Sequence, residues 1–209
     1  MCYTQKDSIL SYGVGTLTSL LLFFTAGKKH PQYQLLAVFF FFVAQMQLFD
    51  FLFWTYPECA AINRATTKTA IVFNHAQPLV HYGLHSYFGI EPSGLSTLMI
   101  LLYSLIAIPY TFTSLRDIEC TREKNGIIHW EWNYRDLSFL MYGLFILYLV
   151  VASFHFKTPS LQYTAVFAIL ISYLLAMKKQ PLNLSIGRAW CYYANAAPLV
   201  FLGLLYLNP

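Results

Sequence analysis

The chain has 209 residues, of which 57% are hydrophobic and 11% are charged, and its mean hydropathy is +0.51. Soluble domains carry about 25% charged residues, so this composition argues against an ordinary soluble protein and indicates a chain that lives in a lipid bilayer. The net charge of +4 is small and spread over the loops, and nucleic acid is therefore not expected as a partner.

Seven apolar segments have the length that a membrane-spanning helix needs, about 20 residues. They are expected at residues 8–26, 35–55, 66–87, 95–114, 137–155, 160–177 and 187–207. The sequence therefore predicts an all-α, polytopic membrane protein in which residues 1–209 form a single seven-helix transmembrane domain, with the bilayer as its partner.

The one long connection, residues 115–136, carries much of the charge. Within it, Asn125-Gly126 is typical of a tight turn. The alternating residues 127–132 that follow predict a short hairpin or a flap that lies at the membrane interface. This connection is too small to be a separate domain.

The basic residues predict an orientation. Ten of the 13 Lys and Arg residues lie on the side that receives the N-terminus and the loops after spans 2, 4 and 6. The positive-inside rule then predicts a cytosolic N-terminus and a C-terminus on the opposite side. Cys2, Cys59 and Cys120 would be cytosolic and Cys191 would lie just inside span 7, so a reducing compartment would keep all four as thiols.

Spans 3 and 7 share a short pattern. Residues 76–84 and 196–204 match at six positions without a gap, although two apolar helices can match by chance because they use a small alphabet. A true repeat would make spans 1–3 and 5–7 parallel three-helix units joined by span 4, a 3+1+3 arrangement used by some transporters. It is similar in architecture to the sugar-efflux and PQ-loop proteins, but Gln77-Pro78 reverses the order of that motif.

Each of the two matched segments contains a proline, Pro78 or Pro198. A proline removes a backbone donor and kinks its helix, which frees carbonyls near Asn74 and Ala194. These carbonyls could line a polar cavity, or neighbouring helices could satisfy them.

Asp50 is the one acid inside a long apolar segment, and an ionisable group at membrane depth is costly and usually functional. Gln47, Asp50 and Trp54 share one helical face. Polar residues of spans 3 and 7 can reach the same half of the bilayer, which predicts a substrate site or a proton-linked Asp/His pair. A structural network in which Asp50 pairs with Lys68 or Arg188 is the alternative. The predicted substrate-binding set is Gln47, Asp50, Trp54, Asn74, His75, Gln77 and Asn195.

His81 and His85 have the i, i+4 spacing at which two imidazoles can share a metal, although the Glu of HExxH is missing. His155 and Glu91 could complete such a site near the other membrane face. Interfacial histidines that bind nothing are the alternative, so no cofactor is predicted and zinc is the secondary hypothesis.

Cys2 would become the N-terminal residue if Met1 were removed, and it could then act as a nucleophile or a ligand. An inert thiol is the alternative. A retinal protein is excluded because span 7 has no lysine for a Schiff base.

Three short motifs carry a family resemblance: the Met1-Cys2-Tyr3-Thr4 start, the Gln47-x-x-Asp50-x-x-x-Trp54 pattern, and Gly187-Arg188-Ala189-Trp190-Cys191. Together they resemble an uncharacterised family of small seven-span membrane proteins, a domain of unknown function whose members begin Met-Cys-Phe-Ser and carry Gln-x-x-Glu-x-x-x-Trp in span 2. The resemblance implies that Cys2, Cys191 and the span 2 residues matter as a set and that the N-terminal segment folds back toward Asp50. It implies no activity.

The leading functional prediction is a transporter or carrier for a small solute, with its polar site in the cytosolic half. The alternatives are an intramembrane hydrolase, with metal or with Cys2 and Asp50, and a non-catalytic scaffold or receptor. The sequence leaves the substrate and the oligomeric state open.

Overall fold

The structure, a computed structural model, describes residues 4–124, 126–179 and 186–207. Its helices are α1 (Gln5–Ala26), α2 (Pro31–Thr55), α3 (Ala61–Tyr87), α4 (Gly94–Asp117), α5 (Ser138–Ser153), α6 (Pro159–Lys179), α7 (Ile186–Ala194) and α8 (Ala197–Leu207). Two strands, β1 (Arg122–Lys124) and β2 (Ile127–His129), and two short 3₁₀ turns, Gly27–Lys29 and Glu131–Tyr134, complete the described elements. Each of the seven predicted apolar segments is helical, as the all-α prediction requires, and the seventh is divided between α7 and α8.

The ends of the helices follow from local chemistry. The Thr4 hydroxyl accepts a hydrogen bond from the backbone N–H of Asp7 at 3.1 Å, and Ser93 does the same for Ser96 at 3.1 Å. Such side chains satisfy backbone donors that have no partner in the first turn. Pro31 is in the first turn of α2, where its fixed φ and missing N–H are harmless.

Within the described residues, five segments are long and apolar enough to cross a membrane: α1 with its following turn, α2, α4, α6, and Ala189–Leu207 across α7 and α8. The other two helices differ for separate reasons. α3 has 27 residues but a row of polar side chains, whereas α5 is apolar but only 16 residues long. Five candidate spans are thus shown, and the expected count of seven stays a prediction for α3 and α5.

α2 lies at the centre of the bundle and packs against α1, α3, α7 and α8. Its core side chains, such as Phe39, Val43, Met46 and Phe53, are essentially inaccessible. Helices α1 to α5 alternate in direction, since the start of α1 contacts the end of α2, the end of α3 contacts the start of α4, and His81 of α3 contacts Tyr148 of α5. The α2–α3 loop, the segment between α4 and α5, and the start of α1 therefore meet at one end of the bundle, where Gln5 donates a hydrogen bond to Thr55 at 2.9 Å.

The two matched prolines have different effects. α3 continues through Pro78, and the Tyr103 hydroxyl of α4 donates to the His75 carbonyl at 2.7 Å. α7 instead ends at Ala194, where the freed carbonyl was predicted, and α8 begins with Pro198 in its first turn. The helix is thus continuous at Pro78 and divided near Pro198, while the proposed 3+1+3 repeat stays a prediction.

The predicted hairpin is confirmed. β1 and β2 pair antiparallel with Arg122 opposite His129, and Gly126 has φ +74°, a left-handed conformation that favours glycine. Asn125, the other predicted turn residue, lies outside the described residues. The hairpin belongs to residues 118–137, which we call the plug, and the end of the bundle that it covers is the plug end.

Candidate functional site

A disulfide joins the plug to the α2–α3 loop. Cys59 and Cys120 are bonded, although 61 residues separate them. The prediction that all four cysteines are thiols is therefore wrong for this pair, because the fold brings together two loops that are distant in the sequence. Cys191 is free and buried.

Two polar residues of α3 hold the backbone of Thr121 beside the disulfide. The Asn63 amide donates to the carbonyls of Tyr56 at 2.8 Å and Thr121 at 2.9 Å. The Thr121 N–H donates to Asn63 Oδ1 at 3.0 Å and to Thr67 Oγ1 at 2.9 Å. Asn63, Thr67 and Thr121 are all buried, so water does not compete for the hydrogen bonds that hold the start of the plug.

Lys68 fastens the end of α4 to α3. Its Nζ donates to the carbonyls of Ile118, at 2.6 Å, and Leu115, where a cation also interacts favourably with the helix dipole. The hypothesis that Lys68 pairs with Asp50 is therefore wrong. Arg188, the other suggested partner, has a side chain outside the described part of the structure.

The centre of the site is a hydrogen bond between Asp50 and Trp130. The indole Nε1–H of Trp130 donates to Asp50 Oδ1 at 2.8 Å, and both side chains are 0% exposed. Trp130 stacks on Trp132, with 5.1 Å between ring centroids. The acid expected to face the helices is thus covered by the plug. The sequence reasoning expected residues 127–132 to alternate as an extended segment, but the strand ends at His129 and Trp132 lies in the 3₁₀ turn Glu131–Tyr134, so the stacked pair could not be derived from alternation.

A second contact joins the plug to α3 through α5. The Tyr142 hydroxyl lies at hydrogen-bonding distance from both Asn74 Oδ1 and Asn133 Oδ1. One hydroxyl has one proton, so it can donate to only one of the two amide oxygens. The other amide is better oriented with its NH₂ group toward the hydroxyl, which then accepts a hydrogen bond from it. Tyr110 of α4 also donates to the carbonyl of Trp132. Asn74 therefore takes part in the site through plug and α5 residues that the sequence reasoning missed.

Gln77 and Cys191 lie next to this centre. Gln77 Nε2 is 3.8 Å from Cys191 Sγ, within the range of a weak N–H···S hydrogen bond, and the Asp50 carboxylate interacts electrostatically with Cys191. Gln47, one turn before Asp50 on α2, is fully buried. Gln77 of α3 and Asp50 of α2 thus both lie close to Cys191 of α7, a residue that the family resemblance, and not the predicted substrate-binding set, had singled out.

The other predicted site residues face elsewhere. His75 Nδ1 is 2.8 Å from Thr111 Oγ1 of α4, and the Asn195 amide donates to Ser11 Oγ of α1 at 3.0 Å. A Cβ on Gly15 would be 2.9 Å from Asn195 Cγ, so α1 packs tightly there. Trp54 is partly buried against the core. His75 and Asn195 thus fasten α3 and span 7 to neighbouring helices.

The histidines form a separate group at the opposite end. The rings of His81 and His85 are 4.8 Å apart, His81 Nδ1 is 3.1 Å from the Tyr148 hydroxyl, and His85 stacks on Phe156. His155 is close enough to interact with His85 electrostatically, and burial lowers the pKa of His155. Across residues 4–124, 126–179 and 186–207, no three His, Cys, Asp or Glu side chains are grouped so as to hold a metal. Zinc therefore stays an untested hypothesis.

Cys2 lies outside the described residues, as does the N-terminal segment that the family resemblance implies near Asp50. Any role for Cys2 is therefore still a prediction.

The fold and the site together define the class of protein: a helical membrane protein with a buried polar centre closed by a loop. No protein-family model, curated protein or solved structure matches the chain. The resemblance to the uncharacterised seven-span family therefore stays an expectation based on three short motifs.

Proposed function

We propose that this protein is a seven-span carrier for a small polar solute, in which Asp50 binds the solute and the plug is the gate over it. The bond between Trp130 and Asp50 supports this proposal most directly. Among the nine acids of the chain, Asp50 alone is buried, and a loop residue reaches 80 positions along the chain to donate to it. A solute with N–H or O–H donors would replace the indole at the same oxygen.

The surroundings of Asp50 fit a binding centre. Gln77 brings an amide to the neighbouring Cys191 thiol, so groups that can donate and accept lie beside the acid. Asp50, Gln77 and Cys191 are each 0% exposed, and the cavity beside Asn74 and Tyr142, about 10 Å³ in volume, has room for about one water molecule. The site as it stands is therefore closed, and a solute could enter only if the plug moved.

The break in span 7 supplies a second part of a carrier. Residues 195 and 196 separate α7 from α8, and discontinuous helices near the midplane are typical of transporter sites. Asn195 at this break is hydrogen-bonded to Ser11 of α1. A movement of α7 against α8 would therefore displace Cys191 on one side of the break and shift the contact with α1 on the other.

The proposal is tested by flux into liposomes that contain the purified protein. Methylammonium serves as the probe because it is small and has N–H donors, and entrapped pyranine reports protons. We expect uptake that Asp50→Asn reduces to the level of empty liposomes. Glu58→Gln, which changes an exposed acid at the same end, is the matched control and should leave uptake unchanged.

Trp130→Phe gives the complementary measurement. It removes the indole N–H but keeps an aromatic ring, so solute no longer competes with a bond worth about 1.5–3 kcal/mol, and the probe concentration at half-maximal uptake should fall. Uptake that is equal in the wild type and Asp50→Asn would refute the carrier. The carrier would also be refuted if the folded protein took up neither methylammonium nor protons. That outcome would favour a scaffold.

A further inference from the structure

A large cavity lies away from Asp50, between α4 and the last residues of the plug. Its volume is about 570 Å³, within the range of about 300–1,000 Å³ that is usual for small-molecule sites. One wall is α4, from Leu105 to Thr113, and the other consists of residues 134–137. We call it the α4 groove.

The α4 groove is polar at one end and apolar at the other. Leu105 and Thr113 are eight residues apart on α4, or about 12 Å at 1.5 Å per residue. Arg135 and Asp136 line the groove at the plug end, whereas Leu105 lines it near the middle of α4 and is 72% exposed. A ligand that fits this gradient is an amphiphile with its polar group at the membrane surface.

The charges at the polar end favour a phosphate beside an ammonium group. Asp117 is shared by two cations, since Arg116 Nε and Arg135 Nη2 both approach it at 2.7 Å. Two guanidinium groups on one carboxylate leave a net positive charge. Asp136, which follows Arg135 in the chain, is an exposed acid that forms no salt bridge within the described residues. Positive and negative charge thus lie side by side at the entrance of the groove.

The backbone around the groove is irregular on both walls. Pro109 lies inside α4 and has no N–H, so the Leu105 carbonyl lacks its helical donor. On the facing wall, Leu137 has φ +68°, in the left-handed region, and its side chain is 62% exposed. Non-glycine residues in this conformation are strained and cluster at ligand clamps.

We propose that the α4 groove binds one zwitterionic membrane phospholipid, with its phosphate at Arg135, its ammonium group at Asp136 and an acyl chain along Leu105 and Leu137. The net positive charge around Asp117 attracts the phosphate, and the neighbouring carboxylate of Asp136 discriminates against lipids that have only negative charge. This inference is independent of the carrier function.

Native mass spectrometry tests the proposal. The protein is reconstituted in bilayers with equal parts of phosphatidylethanolamine, phosphatidylcholine and phosphatidylglycerol, then released, and the retained lipids are counted. We expect one zwitterionic lipid to be retained in preference to phosphatidylglycerol. Arg135→Gln should reduce that retention about tenfold, the effect of losing one charge-assisted hydrogen bond.

Arg116→Gln is the matched control, because Arg116 binds the same carboxylate but does not line the groove. It removes the net positive charge but keeps the guanidinium group that lines the groove, so it should reduce lipid retention by less than Arg135→Gln does. Leu105→Trp fills the groove and keeps every charge, so it should also reduce retention even if Arg135→Gln is poorly folded.

Three results would overturn the proposal: equal retention of phosphatidylglycerol, equal effects of Arg116→Gln and Arg135→Gln, or full retention in Leu105→Trp. Glycerophosphoethanolamine, the headgroup without acyl chains, is added as a competitor. If it displaces the lipid at concentrations similar to those of the lipid itself, the apolar wall contributes nothing and the site is one for a free phosphate compound.

Discussion

The two ends of α3 use the same polar face in different ways. At the plug end, Asn63 and Thr67 form hydrogen bonds to the backbone of Thr121. At the opposite end, neither ring nitrogen of His85 has a hydrogen-bond partner in the described part of the chain, and its ring stacks on Phe156. Hydrogen bonds at the plug end hold a loop in the bundle, whereas at the opposite end ring stacking on Phe156 and the His81–Tyr148 contact join α3 to α5 and to the loop after it. The comparison teaches that a row of polar residues on a helix of this bundle can be mainly structural.

The largest expected effect is at the plug. Trp130→Ala removes a fully buried ring and leaves Asp50 without its indole donor, so the free energy of unfolding should fall by about 5 kcal/mol. Chemical unfolding in detergent measures this change. Phe112→Ala, at a ring that is 69% exposed on α4, is the control and should change stability by less than about 0.5 kcal/mol. Similar losses in the two variants would mean that the plug does not stabilise the bundle.

Loss of the disulfide should have the next largest effect. For a loop of this length, replacing Cys59 and Cys120 by serine should cost about 4 kcal/mol. Either single variant should cost as much as the double variant, because each breaks the same bond and the effects are not additive. A double variant as stable as the wild type would show that the hydrogen bonds of Asn63 and Thr67 suffice to hold the plug.

The same disulfide sharpens the question of orientation. Disulfides persist in oxidising compartments, whereas the basic residues predict a cytosolic plug end. We expect the pair to be oxidised in cells, which acid quenching followed by alkylation and mass spectrometry measures. Trypsin should then cut the exposed hairpin at Lys124 from the oxidising side of the membrane. Cleavage only from the cytosolic side, with both cysteines alkylated, would instead support the basic-residue rule.

A smaller effect is expected at Asn63. Asn63→Ala removes its bonds to Tyr56 and Thr121 but leaves the Thr67 acceptor, so the loss should be about 2 kcal/mol. Thr69→Ala is the control on the same helix, since its hydroxyl is exposed and bonds only to its own helix at Ala65. Faster proteolysis of the hairpin in Asn63→Ala, and not in Thr69→Ala, would place the effect in the plug.

The smallest change is expected at the opposite end. His85→Phe keeps an aromatic ring that can stack on Phe156, so the free energy of unfolding should change by less than about 1 kcal/mol. Zinc content is measured on the same samples. If the wild type contains stoichiometric zinc and His81→Ala and His85→Phe lose it, the histidines form a metal site and do not serve only as structural contacts. That result would favour the hydrolase hypothesis.

The candidate site was only partly predictable. Asp50 and Gln77 were identified because polar residues in apolar helices are conspicuous, whereas Cys191, which lies beside Gln77, was singled out only by the family resemblance. Lys68 was assigned the wrong partner because the end of α4 presents carbonyls that no sequence pattern shows. His75 and Asn195 were placed with Asp50, but each helical residue turns the side chain by about 100°, so two residues of one span can face different neighbours.

The sequence by itself indicated the membrane class, the approximate positions of the apolar helices, a disturbed backbone near Pro198 and a short hairpin or flap beside Asn125-Gly126. These depend on apolar length, a missing N–H and turn chemistry, which act over a few neighbouring residues. Only the tertiary structure decided that a charged loop closes the bundle, that Cys59 bonds to Cys120 and that Trp130 binds Asp50. Those contacts join residues 61 and 80 positions apart, and their geometry exists only once the helices have packed.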